Sequence, residues 1–350
     1  DGWDWLDHLG KNKEGEGDEA GFLQDIIAGR PVLAHPSRKG GFRLRYGRAR
    51  NTGLAAVGLN PATMEILGFT AVGTQLKVEL PGKGACVAPV DSIEGPTVKL
   101  GEDVVRIDSV EEARRLKDKI TEIIDLGEIL IDYGDFLENN HVLLPAAYSH
   151  EWWLVELERV SKKEALRFKK RIPTPEEAVS LSEKYGIPLH PKYTFLWDDI
   201  SVEDRTLLAE FIVKNGDFDG KNLRIPHETR IKRILEDLLV PHKVRNGMIL
   251  IEDALPLLKC LNIEVDGGKL RASLAWFGSR ISMRNKAPTR VGARMGRPEK
   301  SKERRMKPAP HVLFPLGDYG GINRSLREAL EKGEDGTIEV EVGVYRCLKC

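Results

Sequence analysis

The sequence predicts an α+β protein of several domains, in which a small β-barrel is split by an α-rich insertion and followed by a zinc-binding module. Three observations lead to this prediction. Glycines and prolines separate short β-prone runs between residues 31 and 134, as in small barrels. Charged, helix-prone segments replace them from about residue 151, and the chain ends on the C-x-x-C pair Cys347 and Cys350. At about 100–200 residues per domain, 350 residues allow two or three domains.

The first half of the predicted barrel occupies residues 30–150, after a linker and short helix over residues 1–29. Ser109, with Glu112 three positions later, has the spacing of a capping box, so one helix is expected to begin there. The predicted strands are Phe42–Tyr46, Thr74–Leu80, Cys86–Val90, Thr97–Leu100 and Val104–Ile107.

The α-rich insertion is predicted for residues 151–266. Thr174 and Glu177 have the spacing of a second capping box, and Asn246-Gly247 indicates a hairpin. The expected helical segments are Trp152–Lys169, Ala178–Tyr185, Thr206–Lys214 and Glu228–Leu239. Residues 267–335 are expected to return to the barrel, and residues 336–350 to begin the zinc-binding module.

Charge is distributed unevenly, although 54 Lys and Arg residues balance 54 Asp and Glu residues. Residues 38–50, the first basic strip, contain six cations and no acid. Residues 284–307, the second basic strip, contain ten cations and two acids. The strips therefore sum to +6 and +8, and the other residues to −14. Such local strips attract phosphates even when the total charge is zero.

The first basic strip is predicted to bind the phosphates of a nucleic acid. Arg43 and Arg45 alternate with apolar residues, which on a strand directs both guanidinium groups to one face, toward solvent or a ligand. Gly40 and Gly41 allow the backbone to approach a phosphate closely. The alternative is a hairpin with a charged outer face. The candidate nucleic-acid-binding residues in and around this strip are His35, Arg38, Arg43, Arg45, Arg48, Arg50 and Asn51.

The second basic strip suggests a site for the phosphates of a nucleotide or of a primer terminus. One helical turn over Ser301–Met306 would place Lys302 and Arg305 on one face, where two cations stabilise a transferring phosphoryl group. The alternative is a disordered or nuclear-localisation-like basic tract. The other candidate DNA-binding residues here are Arg297, Lys300, Arg304 and Lys307.

Two of the four cysteines form a candidate metal site. Cys347 and Cys350 provide two of the four thiolates of a tetrahedral zinc site, and a redox-active dithiol is the alternative. Cys86 and Cys260 are isolated in apolar surroundings and are expected to be buried. Half a zinc site and a first residue other than Met lead us to expect an internal piece of a longer cytoplasmic protein. No apolar run approaches the roughly 18 residues of a membrane span.

The segment Asn215–Gly220 resembles the loop whose aspartates hold magnesium in multisubunit RNA polymerases. Asp217 and Asp219 are two residues apart, as a metal pair requires, but Lys221 replaces the final aspartate of that loop. A polar turn rich in Gly, Asp and Asn is the alternative, and we favour it.

Four strings of the sequence resemble the large subunit of archaeal family D DNA polymerase. They are His35–Gly53, Leu59–Met64, Ile129–Asn139 and Gly296–Pro308, in this order. The resemblance implies a two-barrel polymerase in which two double-psi β-barrels face each other across the active site. This chain would hold the first barrel, split by the insertion, and the start of a zinc ribbon that opens with Cys347 and Cys350.

The resemblance also implies a replicative DNA-directed DNA polymerase that uses two Mg²⁺ ions and a structural Zn²⁺. The magnesium-binding aspartates would lie beyond Cys350, so the piece alone should be inactive. Lys302 and Arg305 match basic residues of the family's catalytic cleft, although relatives commonly have Lys where this chain has Arg305. The implied partners are a DNA primer-template, a small exonuclease subunit and a sliding clamp. The alternatives are a non-catalytic nucleic-acid-binding scaffold and a relative of multisubunit RNA polymerases.

Overall fold

The computed structural model of the chain describes residues 32–51, 54–68, 75–82, 84–266, 269–272, 281–296, 319, 326–335 and 337–339. The strands in these ranges are β1 (Val32–Ala34), β2 (Phe42–Tyr46), β3 (Ala49–Asn51), β4 (Leu54–Leu59), β5 (Gln75–Val78), β6 (Gly84–Pro89), β7 (Thr97–Leu100), β8 (Asp103–Arg106), β9 (Glu122–Asp125), β10 (Glu128–Ile131), β11 (Asp217–Phe218), β12 (Leu223–Pro226), β13 (Lys243–Arg245), β14 (Met248–Ile251), β15 (Ile263–Asp266), β16 (Lys269–Ala272), β17 (Arg290–Val291) and β18 (Ala293–Met295). The helices are α1 (Pro61–Leu67), α2 (Val110–Leu116), α3 (Tyr133–Glu138), α4 (His150–Val160), α5 (Lys162–Phe168), α6 (Pro175–Tyr185), α7 (Val202–Asn215), α8 (Thr229–Asp237), α9 (Leu255–Cys260) and α10 (Leu326–Lys332).

The largest sheet has nine strands in the order β1-β18-β5-β6-β4-β10-β2-β17, with β3 paired to β4. β2 runs parallel to β10, and β4 runs parallel to β6, whereas the other pairs are antiparallel. β17 is the last strand in this order and β18 the second, yet only Gly292 separates them in the chain. The two ends of the sheet therefore lie close together.

The core of this sheet combines residues from both sides of the insertion. Phe42 and Leu44 of β2 are buried together with Ile129 of β10 and Val291 of β17. Val291 also pairs with Phe42 in the β-ladder. The segments before and after the insertion thus belong to one sheet and share one apolar core, whose burial is the main stabilising contribution.

A smaller sheet, in the order β8-β7-β9, joins the insertion to the rest of the chain. The backbones of Val104 and His242 exchange hydrogen bonds of 2.9 and 3.0 Å. Both guanidinium NH₂ groups of Arg245 donate to the Asp103 carboxylate, each at 2.7 Å. Backbone pairing and a bidentate ion pair at one edge restrict relative motion of the two parts.

The insertion contains a sheet as well as helices. Helix α6 begins at the predicted capping box, in which the Thr174 hydroxyl accepts from the Glu177 amide and the Glu177 carboxylate accepts from the Thr174 amide. The predicted hairpin at Asn246-Gly247 is also present, with both residues at positive φ. However, β11 and β12 extend this hairpin to a four-stranded antiparallel sheet, which the helical pattern does not predict.

The helical segment predicted over Trp152–Lys169 is interrupted at Ser161. This residue ends α4 in an extended conformation, with φ −156° and ψ 96°, and its hydroxyl accepts from the Glu164 amide to begin α5. The two helices therefore form a hairpin instead of one rod, because Trp153, Leu157 and Phe168 pack into a shared core.

The predicted linker and short helix over residues 1–29 lie outside the described residues. No helix among the described residues combines the length and the apolar character that crossing a bilayer requires.

Gly127 provides a test of the packing between the sheets. Its φ is +85°, and a Cβ there would lie 2.5 Å from the Glu94 carbonyl oxygen. Gly68 has a similar φ of +71°, but an added Cβ would meet nothing within 4 Å. Gly68→Ala should cost about 1 kcal/mol of unfolding free energy from backbone strain alone. Gly127→Ala should cost several kcal/mol in urea unfolding, and equal effects of the two variants would contradict this packing.

Candidate nucleic-acid interface

Arg43, a central residue of the first basic strip, is completely buried. Its Nε lies 3.2 Å from Asp125 Oδ1, and its Nη1 lies 2.8 Å from Glu94 Oε2 and 3.9 Å from Glu128 Oε1. The alternation Phe42, Arg43, Leu44 correctly predicts that two apolar residues face the core. The expectation that Arg43 faces solvent or a DNA ligand is wrong, because acidic residues from β9, β10 and the loop before β7 cover the other face of β2.

Electrostatics explains how this arginine is tolerated in the interior. Burial by itself would lower the pKa of Arg43, but the charges of Asp125, Glu94 and Glu128 raise it above its usual value. Burial and the nearby charge of Glu94 raise the pKa of Glu128. An unpaired buried guanidinium would be strongly destabilising, so the three carboxylates are a condition for this fold.

Lys286, from the second basic strip, belongs to the same cluster. Its Nζ lies 2.9 Å from Glu94 Oε1 and donates to the Pro191 carbonyl of the insertion at 2.8 Å. Burial would raise the pKa of Glu94, but the charges of Lys286, Arg43 and Arg106 hold it well below its usual value. Cations of both strips therefore meet at one carboxylate, that of the half-buried Glu94.

Two further arginines of the first strip also bind acidic side chains. Arg45 is 11% exposed and lies 3.2 Å from Glu128 and 2.7 Å from Glu151. Arg48 is 62% exposed and bonds Asp132 at 3.0 Å. Arg45 is thus engaged within the fold, whereas Arg48 is exposed enough to exchange its carboxylate for a phosphate.

The glycines before β2 serve internal packing. Gly40 has φ +82°, and a Cβ there would lie 2.8 Å from the Ile124 carbonyl oxygen. The Gly40 carbonyl also accepts a hydrogen bond from the Leu126 amide at 3.2 Å. We predicted that a phosphate would approach the backbone closely at these glycines. At Gly40 it is the backbone of β9 that does so.

The loop before β2 contains the predicted residues that remain at the surface. His35, Arg38 and Lys39 are exposed. Lys39 donates to the Asp199 carbonyl at 2.6 Å and lies 3.7 Å from Asp237, so it also contacts the insertion. The side chains of the remaining two candidates, Arg50 and Asn51, lie outside the described residues.

The described part of the second strip likewise bonds within the fold. Arg284 pairs with Glu156 and lies over the Trp152 ring, 5.0 Å from its centroid. Arg290 pairs with Asp199 of the insertion. The other predicted residues of this strip lie outside the described residues, namely Arg297, Lys300, Lys302, Arg304, Arg305 and Lys307.

The pair Asp217 and Asp219 forms a polar turn. Asp219 Oδ1 accepts from the amides of Lys221 and Asn222 at 3.0 and 2.8 Å, and these bonds lower its pKa to about 2. Arg224 bonds both aspartates, at 3.4 and 3.1 Å. These contacts agree with the polar turn that we favour over a metal pair.

No cluster of three or more His, Cys, Asp or Glu side chains suited to a metal ion occurs within the described ranges. Cys260 is buried as predicted, and burial raises its pKa to about 12, whereas Cys86 is half-buried. Cys347 and Cys350 lie outside the described residues.

A pair of histidines was missed at the sequence level. His190 Nδ1 accepts from the Lys192 amide at 3.1 Å, so its Nε2 carries the proton and donates to His150 Nδ1 at 2.8 Å. His150 Nε2 then donates to the Phe168 carbonyl at 3.1 Å. Burial lowers the pKa of His190 to about 3, so this ring is a neutral structural link at neutral pH, and burial also lowers the pKa of His150.

Removing the buried guanidinium tests the cluster around Arg43. Arg43→Met leaves three carboxylates without the guanidinium that pairs with them. It should therefore lower the unfolding free energy by about 3–5 kcal/mol at neutral pH. Arg48→Met is the matched control, because its exposed ion pair contributes about 0–1 kcal/mol. Urea unfolding measures both, and similar small losses would show that the cluster is not required.

The loss of stability caused by Arg43→Met should change with pH in a defined direction. The lowered pKa of Glu94 contributes stability that is complete above about pH 4.5 and is lost as the pH falls toward the folded-state pKa. Without Arg43 the carboxylates can protonate more readily. The difference from the parent should therefore be largest at neutral pH and shrink in acid, and a constant difference would contradict this assignment.

Comparison with known proteins identifies the family. A family profile described as DNA polymerase II large subunit DP2, central domain, matches residues 11–350. The chain is 50% identical over 376 residues to the DNA polymerase II large subunit of Archaeoglobus fulgidus, with 100% of this chain and 32% of that protein covered. The same-named protein of Methanocella arvoryzae is 47% identical, and that of Methanothermobacter thermautotrophicus is 45% identical.

Each of those matches covers 100% of this chain and 33% of the relative. The chain therefore spans about a third of the length of the curated relatives it matches. The resemblance of its four strings to a polymerase large subunit is confirmed. This chain belongs to the DNA polymerase II large-subunit family, in which it corresponds to the central domain.

Proposed function

We propose that the protein to which this chain belongs is a DNA-directed DNA polymerase, which joins deoxynucleotides to a primer 3′-hydroxyl on a DNA template. The observation that carries this proposal is 41–50% identity, over the whole chain, to proteins named DNA polymerase II large subunit. Identity at this level across all elements supports a shared activity more strongly than a likeness of fold would.

We assign this chain the role of a scaffold for the catalytic cleft. The nine-stranded sheet is proposed to be the first of two double-psi β-barrels, with the second contributed by sequence outside this chain. The two parallel pairs within a largely antiparallel sheet support this, as does the close approach of its ends at Gly292. The insertion is attached to the barrel by the contacts at Asp103 and Lys286.

The proposed chemistry is attack of the primer hydroxyl on the nucleotide α-phosphate. Two Mg²⁺ ions, bound by aspartates outside this chain, would lower the cost of the developing negative charge. Lys302 and Arg305 would hold the phosphates from this chain's side of the cleft. A guanidinium at position 305 can hold two phosphate oxygens at once, which a lysine cannot do.

Zinc and partner proteins complete the proposal. Cys347 and Cys350 would bind one Zn²⁺ together with two further thiolates from outside this chain, as the C-x-x-C spacing allows. We also propose that the polymerase acts in the cytoplasm on a DNA primer-template, with a small exonuclease subunit and a sliding clamp as protein partners.

Primer extension by the full-length protein tests the role of the second strip. Lys302→Ala with Arg305→Ala should reduce the extension rate by about 10²–10³-fold, because both cations act on the reacting phosphates. Arg327→Ala, a control at an exposed residue of helix α10, should extend at the parental rate. If the double variant extended primers at the parental rate, Lys302 and Arg305 would have no role in the catalytic site.

The same assay separates the proposal from its alternatives. Asp217→Asn with Asp219→Asn should leave extension unchanged, because these residues form a turn, and abolished extension would make them metal ligands after all. Extension with ribonucleotides alone would favour an RNA polymerase relative. DNA binding without any extension by the parent would leave only a binding scaffold.

A further inference from the structure

The hairpin between α4 and α5 carries a dense positive charge that neither basic strip includes. Residues 159–172, here called the basic hairpin, contain seven Lys and Arg residues and one acid, Glu164. All seven cations are exposed. The net charge of +6 equals that of the first basic strip, but here the charge lies at the surface.

Lys162 and Lys163 lie on α5, and Lys169 and Lys170 directly follow its last residue. Ala165 and Phe168 are buried against the insertion core. The side of α5 away from this core carries Leu166, which is 64% exposed, and the exposed lysines lie on and directly after the helix. These are Lys162, Lys163, Lys169 and Lys170.

The four lysines differ from the buried cations of the strips in having no acidic partner among the described residues. No ion pair joins any of them to another described residue, whereas Arg43, Arg45 and Lys286 each bond a carboxylate. Within the hairpin only Arg167 and Arg171 are paired, with Glu164 and Glu177. The lysine charges are therefore available to a ligand.

Internal contacts hold the hairpin in a fixed shape. His150 at the start of α4 donates to the Phe168 carbonyl at the end of α5. The Trp153 and Phe168 rings meet edge to face at 5.7 Å, and the Arg171 guanidinium lies 4.5 Å from the centre of the Phe168 ring. A rigid platform binds a polyanion without the entropic cost of ordering a loop.

The hairpin also begins next to the cations of both strips. Glu151 of α4 bonds Arg45 of the first strip, and Glu156 bonds Arg284 of the second. Arg159 lies eight residues after Glu151, which is about 12 Å along a helix. The basic hairpin is thus continuous with the region where the two strips meet.

The chemistry of this surface favours a phosphodiester backbone over an acidic protein. Lysines without partners act as point charges and contact phosphates independently of sequence. Cations dominate the exposed surface of the hairpin, and its exposed apolar side chains are only Val160, Leu166 and Ile172, fewer than an anchored protein interface uses. Duplex DNA is also the substrate of the proposed function.

We propose that the basic hairpin is a DNA-binding surface outside the catalytic cleft, which holds the backbone of duplex DNA through Lys162, Lys163, Lys169 and Lys170. This inference rests on the proposed function for the identity of the ligand. It adds a contact that involves neither Lys302 nor Arg305.

Salt-dependent binding of a duplex oligonucleotide by the full-length protein tests this proposal. The variant changes all four lysines to Gln, and fluorescence anisotropy gives the affinity at several NaCl concentrations. The slope of log affinity against log salt should become shallower by about 1 for each lysine in contact. At low salt the affinity should fall at least about tenfold.

A matched control removes the same total charge elsewhere. Arg114, Arg115, Lys117 and Lys119 are exposed on and after α2, and three of them pair with Glu65 or Glu112. Their change to Gln should leave the slope at the parental value. Changing the four hairpin lysines to Arg, which keeps the charge, should restore both slope and affinity.

The proposal would be overturned if the Gln variant of the hairpin kept the parental affinity and salt slope. It would also be overturned if the control variant changed the slope as much as the hairpin variant does. Thermal unfolding of each variant checks that the fold is retained. Primer extension on a primed template is measured in parallel. If the parent extends primers but the Gln variant keeps the parental salt slope, only the role of the basic hairpin is refuted. If the parent does not extend primers, the proposed polymerase activity is refuted, and the salt slope still tests DNA binding by the hairpin.

Discussion

Burial of the Arg43 guanidinium under Glu94, Asp125 and Glu128 is the interaction on which the rest of the structure depends. A buried cation requires carboxylates within hydrogen-bonding distance, so β2, β9, β10 and the loop before β7 must come together around it. Glu94 in turn binds Lys286, which follows the insertion, and Lys286 reaches the insertion backbone at Pro191. One cluster of charges thus connects the nine-stranded sheet, the small sheet and the insertion.

This cluster changes how the neutral total charge should be interpreted. The sequence contains two basic strips in an acidic remainder, but much of the described basic charge bonds that acidic remainder directly, as Arg45 does with Glu151. Paired cations of this kind position strands and helices. In the described part of the chain, the charge that we propose for DNA lies on residues without carboxylate partners, such as Lys162 and Lys163 of α5. The charge available to a ligand is the sum over side chains that are neighbours in the fold, and not over residues that are neighbours in the sequence.

Local signals predicted local structure well, and long-range contacts explain the remainder. The capping box at Thr174 and the turn at Asn246-Gly247 depend on neighbouring residues alone, and both are present. The burial of Arg43 depends on partners 51 and 82 residues away, which an alternating pattern cannot reveal. The basic hairpin was treated as an ordinary charged helix, although a count of seven cations against one acid in residues 159–172 would have singled it out. The four polymerase-like strings identified the family without any of these contacts.

The central claim is that internal carboxylates bind the buried cations of the two strips, such as Arg43 and Lys286, while the basic hairpin is proposed to hold DNA. Lysine acetylation of the full-length protein, with and without duplex DNA and read by mass spectrometry, tests it most directly. We expect Lys286 to be unreactive in both conditions, because it is buried and paired. The four hairpin lysines should react freely without DNA and be protected by it. Ready modification of Lys286, or hairpin lysines that react equally with and without DNA, would contradict this account.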